Sequence, residues 1–515
     1  MKIGNYNNIY MFKNPIRHFI DINKFRNLLD YNNLNSRNLS WSLPIAYPIR
    51  KYYGKEDSRV LNLPNIVNFF ILCNKMENET TFPELSDNYF TRMTLNLETG
   101  DFPSATYKCF VEKDLEYLVK FEYLVILDIK SFYNSINTHK LQEIIGLPFD
   151  DLYIRNLNEG KSSGLLKGPL TSLYLADAFL YEIIQKFYRD LTSENINFKL
   201  EYFSDDVYLF INSQDIREAK RIFSKVLDNY DLQTNEFKYI QYDYLTYTKW
   251  NIVDKYWNTV IRDQKNYEKL TDKAKIHFNF INQLIYRKQK LNNNKLESIF
   301  MTGFFKSKFF IDLDISKYVF KNSDLHKLAY IYREHPETLL YTINKFRGID
   351  EFTVGIKKFL MEFFEKSLNS SFFEEQMYYY YALKCLYNND FLSNGIINRI
   401  IYSNNQVLIS YIIMDKIIDS KIKDLLVKDE KKWFLNYHIL LRIKIIEGLI
   451  EPELINDYLI PTISGKNKDA KRTVYSNFYL NAINNNFTMI NENPSISISR
   501  YIELKKHTDY NEDEE

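Results

Sequence analysis

Three aspartates carry the chemistry that this sequence can do. Asp205 and Asp206 are adjacent in Tyr202-Phe203-Ser204-Asp205-Asp206-Val207, and Asp128 ends the apolar run Tyr123-Leu124-Val125-Ile126-Leu127-Asp128. Ser-Asp-Asp alone is ordinary turn chemistry. A carboxylate at the rim of a buried strand changes its meaning, because three acids held at one sheet edge can bind two divalent cations roughly 3.5–4 Å apart, the arrangement used for in-line attack on phosphorus. An all-oxygen donor set favours hard ions, so the expected cofactor is two Mg²⁺ or Mn²⁺ ions.

The elements that must position these acids are legible from periodicity. Phe198, Leu200 and Tyr202 alternate with polar or outward residues on one arm, and Val207, Leu209 and Ile211 alternate on the other, which predicts a β-hairpin with both carboxylates at its tip. Leu173, Ala176, Leu180, Ile183, Ile184 and Phe187 form one face of a helix, and Ile216, Ala219, Ile222, Phe223 and Val226 form one face of another. Thr138 is expected to cap a helix that ends at Gly146. An apolar run over 61–74 predicts a buried helix, and residues 75–121 read as polar and irregular. From about residue 250 onward helical patterns follow one another, among them Leu339, Leu340, Ile343 and Phe346, then Phe352, Ile356, Phe359, Leu360 and Phe363, then 433–450. No fixed-period identity repeat accompanies them.

The segments around the acids resemble the palm motifs of reverse transcriptases. Asp128-Ile-Lys-Ser-Phe-Tyr-Asn-Ser-Ile and Phe203-Ser-Asp-Asp carry the likeness, with Gly164-Leu-Leu-Lys-Gly-Pro-Leu-Thr-Ser-Leu-Tyr-Leu-Ala between them and Leu232-Gln-Thr-Asn-Glu-Phe-Lys238 after them. Upstream, Pro48-Ile-Arg-Lys51 and Arg59-Val-Leu-Asn-Leu-Pro64 resemble the basic finger segments. The resemblance implies a metal set of Asp128, Ile129, Asp205 and Asp206, with Asp128 and Asp205 as direct ligands. It further implies triphosphate or nucleotide contacts from Arg50, Lys51, Arg59, Lys167 and Gly168, selection of deoxyribose by Tyr133, and Lys238 as a general acid toward pyrophosphate. Templated members usually have Pro-Gln where this chain has Leu166-Lys167, and a lysine offers donors but no acceptor to a nascent base pair.

That departure, with the long helical C-terminus, resembles the abortive-infection reverse transcriptases of bacteria, and within them the short prophage-encoded type. The implied fold class is α+β, with reverse-transcriptase-like fingers and palm followed by an all-α, helical-repeat-like domain. The expected boundaries are an N-terminal arm over 1–47, fingers and palm over 48–250, the helical domain over 251–508 and an acidic tail over 509–515. The implied activity is antiphage, protein-primed, template-independent DNA synthesis from dNTPs, with single-stranded DNA joined to a tyrosine. Tyr10 is the favoured primer, with Tyr6 and Tyr31 as rivals. A homo-oligomer and a phage trigger are the implied partners. The alternatives are a templated, retron-type RNA-directed DNA polymerase and a non-catalytic phage sensor on a polymerase fold.

Composition bounds the rest. With 515 residues, 45% of them hydrophobic, the chain can bury a large core. No apolar run approaches a membrane span and no signal-peptide core opens the sequence, so a bacterial cytoplasmic location without membrane contact is expected. Cys73, Cys109 and Cys385 are too scattered for a disulfide framework or zinc site and read as buried thiols. Residues 1–250 carry 29 Lys and Arg against 32 Asp and Glu, whereas proteins that neutralise many phosphates are usually basic. Any cationic surface for nucleic acid is therefore local.

Overall fold

A computed structural model describes residues 4–31, 34–51, 57–79, 89–250, 253–271, 275–291, 294–463 and 466–508. The expected acidic tail and the tip of the finger hairpin lie outside the described residues. The fold is α+β. Six strands are described: β1 (Ile45–Arg50), β2 (Ser58–Leu63), β3 (Tyr123–Asp128), β4 (Phe198–Phe203), β5 (Asp206–Ile211) and β6 (Ile240–Tyr242). The first two form a hairpin, and the others form an antiparallel sheet in the order β4-β5-β3-β6.

Alternation along these strands gives the sheet two different faces. Leu127, Val125, Val207, Leu209, Leu200 and Tyr202 share one face by register. Helices Leu170–Ser193 and Ile216–Asp228 close it, with Tyr188 against Phe198 at 5.2 Å between ring centroids and Phe187 against Phe223 at 5.0 Å. The other face carries Asp128, Ile126 and Leu124 opposite Asp206, Tyr208 and Phe210. Its half remote from the acids is roofed by helix Ser104–Lys120, where Leu118, Leu124, Phe210 and Tyr247 form a buried cluster. That helix falls where the sequence reads as irregular. Its apolar positions are interleaved with Lys113, Asp114 and Glu116, and one of these, Asp114, is buried where Arg92 and the Tyr247 hydroxyl meet it.

The chain divides into two compact units. One comprises Met1–Ala46, Asn62–Trp250 and Ile413–Asn491, and the other Tyr47–Leu61, Asn251–Ile412 and Glu492–Glu515. The division differs from a boundary at residue 250, because residues 413–491 fold with the palm. Phe25, fully buried, meets Tyr437 and Phe487 at 5.8 Å and Phe478 at 6.1 Å. The Tyr475 hydroxyl donates to Asn68 Oδ1 at 2.5 Å, and Asn65 Nδ2 donates to the Tyr479 hydroxyl at 2.8 Å. Aromatic rings with polar tips thus tie helix Lys468–Asn484 to helix Ile66–Glu79.

The second unit is a succession of helices from Val253–Leu270 through Asn394–Tyr402. Leu339, Leu340, Ile343 and Phe346 are all fully buried, as their spacing predicts. In the next helix Phe352, Ile356 and Leu360 point inward, and Phe364 replaces Phe363 as the following buried position. Of the cysteines, Cys73 is buried, Cys385 is half-buried and Cys109 is exposed, so the last departs from the expectation of buried thiols. No helix among the described residues is long and apolar enough to cross a membrane.

Truncating Phe25 tests whether the two ends of the chain form one core. Phe25→Ala is expected to lower stability by about 3–5 kcal/mol, the usual cost of emptying a buried phenylalanine site, measured by urea unfolding.

Candidate active site

The acids meet through strand register. Asp128 lies directly opposite Asp206 on β5, and Asp206 is in turn opposite Phe203 on β4. Directly opposed residues of an antiparallel pair project from the same face, so the two carboxylates share one end of the sheet. Ser204 and Asp205 form the two-residue turn between β4 and β5, and Ser204 reaches it with a left-handed φ of 54°. Asp128 is buried, whereas Asp205 and Asp206 are half-buried.

Two side chains clamp Asp128. Asn235 Nδ2 donates to Oδ1 at 2.7 Å, and Lys238 Nζ donates to Oδ2 at 2.5 Å. The backbone supports the clamp: the Asn235 N–H bonds the Asp128 carbonyl at 2.8 Å, and Ile129 forms an antiparallel bridge with Thr234. Partial burial would lower the Lys238 pKa, but the hydrogen bond to Asp128 and the charges of Asp128, Asp205 and Asp206 outweigh it and raise it. One ammonium therefore senses all three acids. Among the described residues no group of three or more His, Cys, Asp or Glu is gathered as a metal cage. The donor set nonetheless fits a hard divalent ion in chemistry, and the Lys238 ammonium already occupies a cation's position against Asp128.

The glycine loop is stitched to its surroundings by backbone bonds. Leu165 N–H donates to the Tyr133 carbonyl at 2.8 Å, Asn62 N–H to Lys167 at 2.7 Å, and Phe12 N–H to Gly168 at 3.0 Å. Gly168 has φ of +123°, and a Cβ there would lie 3.1 Å from Met11 Sδ. The loop thus collects Tyr133, Lys167 and Gly168 in the unit that holds the acids, with Met11 and Phe12 of the arm packed upon it. Phe12, Phe102 and Phe203 continue as edge-to-face pairs at 5.2 and 5.1 Å toward the acid turn.

Arg50 donates from Nε and Nη2 to Glu375, its backbone N–H donates to Glu374 at 2.8 Å, and its guanidinium covers Phe372 at 4.1 Å. Its guanidinium is thus paired with a carboxylate of the same unit. Lys51 and Arg59 are exposed and belong, with Arg50, to the second unit. None of the three tyrosines has its hydroxyl at the acids. Tyr10 is buried and donates to the Pro64 carbonyl at 2.5 Å, Tyr6 donates to Glu77 at 3.0 Å, and Tyr31 donates to the Arg26 carbonyl at 2.8 Å. Burial raises all three hydroxyl pKa values, the opposite of what activates a nucleophile. The arm is short, but its apolar residues Ile9, Tyr10, Met11 and Phe12 make it core.

Sequence reading did not assign roles to Asn235 or to the network behind the acids. Asn235 and Lys238 are three residues apart across a 3₁₀ turn, which sets both on one side, and that spacing was the available signal. Arg92 bonds Asp114 and Glu201, the latter at 2.8 Å, and covers the Tyr208 ring at 4.0 Å, so the roofing helix is locked to β4 and β5 by a buried cation. Beneath the hairpin, Asp177 is buried against the Tyr202 hydroxyl.

No family model matches the chain, and no curated protein matches it. Among solved structures the chain is similar to telomerase from Candida albicans in complex with the TWJ fragment of telomeric RNA, with 12% identity and a TM-score of 0.27 over 76% of this chain and 65% of that one. It is also similar to apo telomerase from Candida tropicalis, with 12% identity and a TM-score of 0.27 over 81% of this chain and 75% of that one. The chain spans about 65% of the length of the first of these. The chain's own sheet order, with an acid-tipped hairpin beside an acid-ended strand and helices behind, is a polymerase-like fold.

Burial pushes the Asp177 carboxyl up to about 7, with the Tyr202 hydrogen bond opposing it. An ordinary aspartate titrates near 4, so the unfolded chain ionises first and the folded state loses stability as pH rises from about 4 to about 7. Asp177→Asn removes this titration. Its stability relative to the wild type is expected to climb across that window and level off above it, as read by urea unfolding at a series of pH values.

Proposed function

We propose that the chain is a metal-dependent nucleotidyltransferase that makes DNA from dNTPs without a template, primed by a protein hydroxyl, in bacterial antiphage defence of the abortive-infection type. The observation that carries the chemistry is the opposition of Asp128 and Asp206 across β3 and β5 with Asp205 in the adjoining turn, all three coupled to Lys238. Two bound divalent cations would supply Lewis-acid charge at the α-phosphate and lower the pKa of the attacking hydroxyl. Asp128, Asp205 and Asp206 would hold them, once Lys238 gives up its place on Asp128. The hydroxyl gives up its proton to solvent as its oxygen forms a bond to the α-phosphorus, the bond from that phosphorus to the bridging oxygen breaks, and pyrophosphate departs with a proton from Lys238. Tyr133, set beside the glycine loop, would crowd a 2′-hydroxyl.

Template independence is supported by Lys167 in place of a glutamine and by Met11 and Phe12 resting on the glycine loop. Tyrosine priming by Tyr10, Tyr6 or Tyr31 requires the arm to leave its packing, because each hydroxyl is now hydrogen-bonded away from the acids.

Purified protein given Mg²⁺ or Mn²⁺ and labelled dNTPs, with no template or primer, is expected to yield label that shifts on a denaturing gel after proteolysis. Incorporation only with added RNA and primer would replace this reading by the templated one, and survival of phage defence in Asp205→Asn would replace it by the sensor. Asn235→Ala, which loosens Asp128 without removing an acid, is expected to slow incorporation by about 10–100-fold, the usual weight of a group that orients a ligand.

A further inference from the structure

Helix Asn279–Lys288 of the second unit buries Phe280, Ile281, Leu284 and Lys288, the spacing of one helical face, which leaves Tyr286 and Lys290 exposed and Arg287 half-buried. The stretch is one-sided in charge. Residues 273–296 include six Lys and Arg and no Asp or Glu. Aromatic rings are set among these cations: Tyr286 is 50% exposed, with the Arg287 guanidinium at 5.4 Å and Lys290 Nζ at 5.3 Å from its ring centroid. Arg287 also lies 5.5 Å from the ring of Tyr256 on helix Val253–Leu270.

The neighbouring helix Asn322–Glu334 continues the pattern. A groove of about 500 Å³ between the two is lined by Ile285, Gln289, Ser323, His326, Lys327 and Tyr330, with no carboxylate in its wall. The Tyr330 ring is flanked by Lys288 and Arg333, each at 5.4 Å. The acids of the surrounding helices are engaged. Glu297 and Glu334 face Lys288 at 3.4 and 3.9 Å, and Glu334 also takes Arg333 at 3.0 Å. Asp324 accepts from the Lys321 N–H at 3.0 Å, Glu362 pairs with Lys366 at 2.6 Å, Asp263 lies 3.7 Å from Arg262, and Glu268 accepts from Gln264 at 2.9 Å. Among the described residues Arg287, Lys290 and Lys327 have no ion-pair partner.

Cations at the end of a helix complement its dipole. Lys327 stands mid-helix on the neighbouring element, and a dipole has no need of rings. Phosphates ask for cations without competing acids, and unpaired bases ask for exposed rings to stack on; sites for single strands combine the two. A duplex, with its bases stacked inside, has no use for Tyr286. We infer that this face binds single-stranded DNA, with phosphates at Arg287, Lys290 and Lys327 and a base on Tyr286. The choice of DNA rests on the synthesis proposed above. The near-neutral N-terminal half lacks such a surface, and this one is local.

The test is fluorescence anisotropy of the full chain in EDTA, without dNTPs, against a labelled oligothymidylate of about ten nucleotides, long enough for a single-strand site, an oligouridylate of the same length and a DNA duplex. With neither metal nor dNTP present, failure of this binding and failure of the proposed synthesis are read separately. Saturable binding of the oligothymidylate is expected, with log affinity falling against log salt at a slope of about −2, as three neutralised phosphates of a single strand give. The paired change Lys290→Glu with Lys327→Glu is expected to weaken binding by at least about tenfold and to flatten that slope. Tyr286→Ala is expected to weaken it by at least about fivefold, the loss of one stacked base, whereas Tyr286→Phe, which keeps the ring, stays within about twofold. Equal affinity of the wild type and the charge-reversed pair, with circular dichroism unchanged, would overturn the inference, as would no measurable binding to the wild type. Tighter binding of the duplex would overturn the single-strand assignment, and tighter binding of the oligouridylate would overturn the choice of DNA.

Discussion

Two carboxylates opposed across neighbouring strands repel one another, and much of the palm is arranged around that repulsion. Like charges directly opposite in a sheet are destabilising. Here the cost is met by Lys238 and Asn235, delivered to Asp128 by the segment that pairs β6 to β3. β6 is only three residues long. Its role follows from position: by lying beside β3 it brings a cation and an amide to the one buried acid. The Lys238 ammonium offsets the charge of Asp128 at the acid end of the sheet.

Behind that end, rigidity comes from unlike sources on the two faces. The apolar face is closed by two amphipathic helices, with Asp177 meeting Tyr202 just before the turn. The polar face is held by Arg92, whose buried guanidinium joins Asp114 on the roofing helix to Glu201 on β4. A buried cation shared by two carboxylates is costly to desolvate and costly to break, and it fixes the roofing helix over the sheet. The same unit then recruits residues 413–491, so the palm is completed by chain that lies more than 160 residues beyond β6.

The acid cluster and the hairpin were legible because they are local: alternation marks the strands, and a two-residue turn leaves Asp205 and Asp206 only one place to go. The helices of the second unit were legible for the same reason, as Leu339 to Phe346 illustrate. What escaped was decided by distant partners. Arg50 looks like a phosphate ligand beside Lys51, yet Glu375, 325 residues away, claims it. Tyr10 looks like the tip of a free arm, yet Phe69 at 4.9 Å and the Pro64 carbonyl hold it in the core. Asp114 looks like a solvated charge until Arg92 and the Tyr247 hydroxyl are placed around it.

The central claim is that Asp128, Asp205 and Asp206 form one cation site whose resting occupant is Lys238. Electron paramagnetic resonance of Mn²⁺ titrated into the purified chain tests it most directly. The account predicts saturable binding that is lost in Asp128→Asn and in Asp206→Asn and strengthened in Lys238→Met, where the competing ammonium is gone. Mn²⁺ binding that is the same in the wild type and in all three variants would contradict it.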